Sequence, residues 1–542
     1  MKISGARAII KSLEKENVNV IFGYPGAAIC PFYDALLDSS IRHILTRNEQ
    51  GAAHAANGYA RATGKTGVCV ATSGPGATNL ITGIATAYMD SIPIVAITGQ
   101  VSTELIGRDV FQEADITGAT APFCKHNYLV KNAKKLPYII KEAFHIASTG
   151  RPGPVLIDVP IDIQNTEIEF NYPETVDIRG YKPNYKGHPM QIKKAAEEIS
   201  KAKAPVICAG GGIINAEASA ELLELAEKCC IPVTTTLMGK GAIPSLHRLS
   251  LGMLGSHGSP VANYAVNNAD LLILLGARVG DRAIAATHKI AKKAKIIHID
   301  IDPAEIGKNI EVTIPIVGDV KNVLRDLISI VEKGNVDEWN QKIQSFKSKH
   351  TVSYEDVNEG DTVKPKYMLS LLSEMVPDNT IVTTEVGQNQ IWAANHFNVS
   401  RPRSFITSGG MGTMGFGLPS AIGAKIGTPE STVITISGDG SFQMSLQELG
   451  TIKQCKIGVK VVIFNNSRLG MVREIQRTKY RGRYSQVFLE NNPDFVSLFG
   501  AYGFKGERVE NNSQVRAAIE RMLSNDEPYL LDCVVDPEEP TL

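Results

Sequence analysis

The residues best suited to chemistry lie between Gly438 and Asn466. The stretch Ile-Thr-Ile-Ser-Gly-Asp-Gly-Ser-Phe (434–442) sets Asp439 between two glycines, and Val-Val-Ile-Phe-Asn-Asn (461–466) ends on Asn466. Each polar group follows a β-branched run of the kind that forms a buried parallel strand. Two such strands side by side place Asp439 and Asn466 at neighbouring carboxyl ends, where open α/β sheets bind ligands. One carboxylate and one amide oxygen, with glycines for close backbone approach, suit Mg²⁺ carrying a diphosphate. A lone Gly-Asp-Gly is usually a plain turn. The flanking strands and the terminal Asn-Asn argue for the metal site.

A second candidate is Glu49, which follows a strand and opens an Ala-rich helix. The helix dipole alone favours a glutamate in a first turn. The stretch Thr72-Ser-Gly-Pro-Gly-Ala-Thr-Asn79 makes another strand-to-helix turn, and its glycines let a flat ring approach the backbone. Gly210-Gly-Gly212 also follows a strand and permits approach to a diphosphate, although such tracts are common in ordinary turns.

Strand and helix signals alternate in three blocks, which predicts an α/β chain of three doubly wound parallel-sheet domains. The first, 1–163, has expected strands at Val18–Phe22, Ile41–Leu45, Gly67–Ala71, Ile94–Thr98 and Val155–Val159. Residues 164–188 are polar, carry Pro173 and Pro183, and read as a linker. The second block, 189–335, has strands at Pro205–Ala209, Val233–Thr236, Leu271–Leu275 and Ile296–Ile301. A charged stretch in 336–364 reads as a second linker. The third block, 365–542, has strands at Ile381–Thr384, Val433–Ile436, Lys460–Phe464 and Leu530–Val534. The sequence alone does not show whether blocks one and three share a fold.

A chain of 542 residues is long enough for several cores. Lys plus Arg and Asp plus Glu number 56 each, so there is no electrostatic case for nucleic acid or an anionic membrane. The apolar runs are too short to span a bilayer, and the first residues, Met1 to Asn19, read as a mixed-charge helix rather than a signal peptide. The 8 cysteines have no Cys-x-x-Cys spacing, which argues against zinc or a disulfide framework and predicts a reducing, cytoplasmic setting.

Further motifs run in order along nearly the whole chain: Gly23-Tyr-Pro-Gly26, Glu49-Gln-Gly51, Ser73-Gly-Pro-Gly-Ala-Thr-Asn79, Phe111-Gln-Glu-Ala-Asp115, Gly150-Arg-Pro-Gly-Pro154, Gly276-Ala-Arg278, Ser408-Gly-Gly-Met-Gly-Thr-Met-Gly415 and Gly470-Met-Val472. With the Gly438–Asn466 stretch, they resemble the acetohydroxyacid (acetolactate) synthases among thiamin-diphosphate enzymes. The resemblance implies a pyrimidine-binding, a central FAD-type and a diphosphate-binding domain. It implies that pyruvate is decarboxylated and its two-carbon unit joined to a second 2-oxoacid, pyruvate or 2-oxobutanoate, on the isoleucine and valine route. It also implies an active site between two subunits, hence a homodimer or homotetramer, with a small regulatory subunit as a further partner.

The resemblance also assigns residues. Glu49 matches the carboxylate at the cofactor's aminopyrimidine, which promotes removal of the thiazolium C2 proton. Val386, Gly387, Gln388 and Asn389 match the diphosphate loop, where the family usually has His at the last position. Met414 matches the bulky residue beneath the cofactor, and Gly438, Gly440, Ser441, Gly470 and Met471 its other contacts. Asp439, Asn466 and the backbone carbonyl of Arg468 match the Mg²⁺ ligands. Phe111 and Gln112 fall near the reacting carbons, and Arg282 matches the arginine that receives the second 2-oxoacid. Arg151, Gly210, Gly211, Gly212, Thr236, Leu237, Gly276, Arg278, Asp300, Asp319 and Val320 fall where the FAD-retaining branch contacts a flavin of structural role.

Three positions depart from the family pattern. Ile161 replaces a lysine, Asn48 replaces the common histidine before the catalytic glutamate, and Ile475 replaces a tryptophan. That tryptophan shapes the acceptor pocket and favours 2-oxobutanoate, so Ile475 implies a less discriminating wall. A related thiamin decarboxylase or carboligase with another acceptor is the alternative reading. A non-catalytic scaffold is disfavoured by the intact Glu49, Asp439 and Asn466.

Overall fold

A computed structural model of the chain describes residues 2–283, 293–350, 354 and 357–542. Its frame is three 6-stranded sheets in which every neighbouring pair is parallel. Runs such as Ile94–Gln100 and Val459–Asn465 are buried at every residue, as strands covered by helices on both faces must be.

The first sheet runs in space Arg42–Leu45, Val20–Gly23, Gly67–Ala71, Ile94–Gln100, Val155–Pro160, His126–Leu129. The third runs Phe405–Ile406, Ile381–Thr384, Val433–Gly438, Val459–Asn465, Tyr529–Val534, Lys505–Val509. Counting each sheet's strands in chain order, both read 2-1-3-4-6-5, so blocks one and three do share a topology. The central sheet reads 3-2-1-4-5-6, the order of dinucleotide-binding folds.

Every expected strand forms, with ends shifted by at most two residues. Within the three 6-stranded sheets, five strands have no counterpart in the sequence reading: His126–Leu129, Ser250–Met253, Ile314–Val317, Phe405–Ile406 and Lys505–Val509. All five lie at sheet edges. An edge strand is covered on fewer sides and needs no continuous apolar run, and Lys-Gly-Glu-Arg-Val (505–509) has none.

The expected linkers are partly structured. Glu167–Glu169 pairs antiparallel with Lys2–Ser4, which ties the start of the 164–188 segment to the N-terminus. Within 336–364, Asp337–Lys349 is a helix. Its Trp339 and Ile343 are buried in the central core, and Trp339 Nε1 donates to Pro205 O at 3.2 Å. Trp339, Ile343 and Phe346 recur at helical spacing, a stripe that the surrounding charge conceals. Residues 351–353, 355 and 356 of that stretch lie outside the described residues.

The first and third domains meet through two small-residue helices, Glu49–Thr63 and Gly417–Gly427. A Cβ on Gly58 would lie 2.0 Å from Ser420 O, and one on Gly423 would lie 1.8 Å from Ala55 O. Backbone therefore rests on backbone, and a single apolar cluster runs through Ala52, Ala56, Phe416 and Ala421. Gly423→Ala should force the helices apart and cost about 1–3 kcal/mol. Calorimetric melting checks this, and an unchanged melting temperature would show that the close approach is dispensable.

Candidate cofactor and active site

Val433–Gly438 and Val459–Asn465 are neighbours in register, with Gly438 opposite Phe464. Asp439 and Asn466 are the next residues of these strands and line one cleft, as the sequence predicts. The cleft opens where the strand order reverses, beside the Val386–Asn389 loop that follows Ile381–Thr384. Val386, Gly387, Gln388, Asn389, Met414, Gly438, Gly440, Ser441, Gly470 and Met471 all line it.

Asp439 is 1% exposed, and no cationic side chain pairs with it among the described residues. Burial pushes its pKa up to about 6, opposed by the Asn492 amide, whose Nδ2 donates to Asp439 Oδ2 at 2.7 Å. A buried carboxylate without a counter-charge is costly, and a divalent cation removes that cost. Asn466 Oδ1 accepts Arg468 N at 3.1 Å across Ser467, which has φ +53°, so the chain folds back toward the cleft at residue 468. The Arg468 side chain instead lies over the Phe488 ring at 4.6 Å, which leaves the backbone of residue 468 for the cleft. At Gly470 a Cβ would fall 1.8 Å from Gln388 Oε1, so the glycine lets the Gln388 side chain lie against the backbone there. Asn389 Oδ1 is buried with no donor among the described residues. The donors fit Mg²⁺ and a diphosphate: hard oxygens, an unneutralised anion and a backbone open to close approach.

Glu49 is the first residue of its helix, with Asn48 as N-cap accepting Gln50 N at 2.8 Å. Asn79 Nδ2 donates to Glu49 Oε2 at 2.9 Å, which joins the two motifs the sequence singled out. Gln112 has φ +59° and packs over Gly74, where a Cβ would lie 2.8 Å from Gln112 O. Phe111 beside it is 85% exposed. None of these residues lines the Asp439 cleft within the one chain. Arg282 is also apart from it, exposed and 3.7 Å from Asp281.

In the central domain the expected flavin residues gather at the carboxyl ends of parallel strands. Gly210 follows Pro205–Ala209, Thr236 follows Val233–Thr235, Gly276 follows Leu271–Leu275, and Asp300 ends Lys295–Asp300. Gly210 and Gly212 pack on Gly276, where a Cβ on Gly210 would lie 2.1 Å from Gly276 O. Gly211 faces Met238, and Leu237 is partly buried against the third domain's core. Thr236 Oγ1 accepts Gly239 N at 3.2 Å. Burial raises the Asp300 pKa to about 6 and lowers that of Arg278. Arg151 donates to Asp302 at 3.1 Å, Glu305 at 2.8 Å and Ser91 at 2.8 Å. Asp319 is an N-cap accepting Asn322 N at 3.0 Å, and the Val320 side chain is in the core, which leaves its backbone for a ligand. The strand order and the backbone-close glycines at its switch point fit a dinucleotide such as FAD.

Comparison with known proteins agrees with this geometry. Residues 3–119 match the thiamine pyrophosphate enzyme N-terminal TPP binding domain, 192–327 the central domain and 385–533 the C-terminal TPP binding domain. The probable acetolactate synthase large subunit of Methanocaldococcus jannaschii is 52% identical over 99% of this chain and 93% of its own length. The acetolactate synthase large subunit of Corynebacterium glutamicum is 47% identical over 98% of this chain and 87% of its own. The chain belongs to the acetolactate synthase large-subunit family of thiamin-diphosphate enzymes.

In this acetolactate synthase-type chain, three supports of the site were not found from sequence. Glu385 is fully buried and accepts Gly415 N at 2.7 Å, Gly417 N at 2.7 Å and Leu418 N at 3.3 Å, which fixes the loop carrying Met414. Burial pushes its pKa up to about 7. A β-branched run precedes Glu385 just as one precedes Asp439, so a signal was present. The C-terminal tail holds the opposite loop, where Gln388 Nε2 donates to Glu539 O at 3.1 Å and Trp392 Nε1 to Pro540 O at 3.0 Å. Asn492 lies in a polar loop, and nothing in its local sequence marks it. Because Asn492 orients Asp439, Asn492→Ala should weaken Mg²⁺ binding about 10–100-fold. Titrating activity against Mg²⁺ checks this, and an unchanged midpoint would remove Asn492 from the site.

Proposed function

We propose that this chain is the catalytic subunit of an acetolactate synthase. It decarboxylates pyruvate and joins the remaining two-carbon unit to a second 2-oxoacid, releasing CO₂, in branched-chain amino-acid synthesis. The uncompensated Asp439 carboxylate beside Asn466, at the switch point of a parallel sheet, carries this reading. Relatives named acetolactate synthase over nearly their full length support it. Asp439, Asn466 and the Arg468 carbonyl hold Mg²⁺, and the Val386–Asn389 loop takes the diphosphate. Thiamin diphosphate, when bound, supplies a nucleophilic carbon and a sink for the electrons that decarboxylation leaves.

The chain's own residues do the rest. Glu49 has Oε2 tied to Asn79, which leaves Oε1 to hold or take a proton. Gly76 keeps that oxygen accessible, since a Cβ there would lie 3.1 Å from it. Asp439 carries the metal and moves no proton. Met414, Leu469, Met471 and Val472 line the cleft and exclude water. The Arg282 guanidinium suits the acceptor's carboxylate, with Phe111 and Gln112 near the reacting carbons. Glu49 lies outside the Asp439 cleft of its own chain, which supports a site between two subunits of a homodimer or homotetramer. The words "large subunit" in the relatives' names support a small regulatory partner. The central sheet supports FAD, which a flavin absorption spectrum tests. All 8 cysteines are free, in keeping with a cytoplasmic setting.

Purified protein with Mg²⁺, thiamin diphosphate and pyruvate should form acetolactate, and its absence would sink the proposal. Glu49→Gln should lower turnover by about 100-fold or more. An unchanged rate would remove Glu49 from the chemistry. Ile475, 40% exposed on the Gly470–Lys479 helix, leaves an open wall. With pyruvate and 2-oxobutanoate competing, Ile475→Trp should raise the 2-oxobutanoate product several-fold, roughly the discrimination one pocket wall provides. Equal product ratios in the two proteins would exclude that wall from acceptor choice.

A further inference from the structure

The helix that begins with Glu49 is gripped at its start by a carboxylate of another domain. Glu448 ends the Leu446–Glu448 turn of the third domain and is 0% exposed. Its Oε1 accepts Arg47 N at 3.1 Å and Asn48 N at 3.2 Å, and its Oε2 accepts Thr451 Oγ1 at 2.7 Å. Amides at a helix start have no partner within the helix, and here Glu448 supplies one for the N-cap residue Asn48 and one for Arg47 before it. The Asn48 side chain takes the Gln50 amide, so partners bracket Glu49 on both sides. A Cβ on Gly51 would lie 2.5 Å from Glu448 Oε1. The glycine of Glu49-Gln-Gly51 is therefore the space that Glu448 fills. Arg47 Nη2 extends the grip, donating to Gly450 O at 3.0 Å and Gln454 Oε1 at 2.8 Å.

We propose that Glu448 is a positioning residue for Glu49. It fixes the helix start that aims the Glu49 carboxylate and ties it, within one chain, to the segment that follows Asp439. This rests on the role given to Glu49 above. Glu448 does not line the cofactor cleft, so it acts through the backbone of residues 47 and 48.

The test uses the full-length enzyme. Glu448→Ala should lower kcat about 10–100-fold, the cost of a small misplacement at a reacting group. KM for pyruvate and the calorimetric affinity for thiamin diphosphate with Mg²⁺ should stay within about three-fold. In the cofactor-free protein, the Arg47 and Asn48 amides should exchange faster with deuterium. The double variant Glu49→Gln/Glu448→Ala should be no slower than Glu49→Gln alone. If the alanine variant does not fold, Glu448→Asp keeps the charge, withdraws the oxygens and should show the same pattern. Wild-type turnover with deprotected amides, or a double variant that loses the full product of both effects, would overturn the proposal. A fully active Glu49→Gln protein would remove the role of Glu49 itself, a failure seen without any change at Glu448.

Discussion

The arrangement depends on two helices, one from each outer domain, whose backbones touch. Gly58 against Ser420 and Gly423 against Ala55 bring the axes closer than any side chain would allow. That contact makes the first and third domains one apolar body, with Phe416 and Ala421 packed among the alanines of the Glu49 helix. It is a packing constraint with a catalytic consequence: the residue opening one helix is Glu49, and the loop leading into the other carries Met414. Side chains of ordinary size would push both away from where Glu385, Glu448 and Asp90 hold them.

Those holds are electrostatic and share one form. A buried carboxylate accepts backbone amides from a segment of another element. Asp90 takes Gly410 N at 2.7 Å and Arg61 at 2.6 Å, Glu385 takes three amides of the Met414 loop, and Glu448 takes two beside Glu49. Each anion costs desolvation, and each returns it as several charge-assisted hydrogen bonds. Asp439 lines the cleft rather than sitting under a helix start. Among the described residues Asn492 is its one side-chain donor and no cation faces it, so a metal would supply the missing counter-charge.

Most of the candidate site residues were readable because they follow a buried strand, and a buried strand has a strong sequence signal. Asp439, Asn466 and the 386–389 loop sit just beyond such runs, whereas Glu49 follows the partly exposed edge strand Arg42–Leu45 and was marked by its helix start and the nearby glycine turn. Edge strands lack that signal, and so do residues that act from a distance. Asn492 and the tail at Glu539 and Pro540 belong to polar loops whose partners are remote in sequence.

The sequence by itself determined the domain class, the family and the residues that line the Asp439 cleft, because strand periodicity and motif spacing are local properties. Only the tertiary structure decided that the outer domains share one strand order, that they meet through glycine contacts, and which carboxylate grips the start of the Glu49 helix. Those facts depend on which segments lie side by side, and no local pattern encodes the pairing of Glu448 with an amide some 400 residues away.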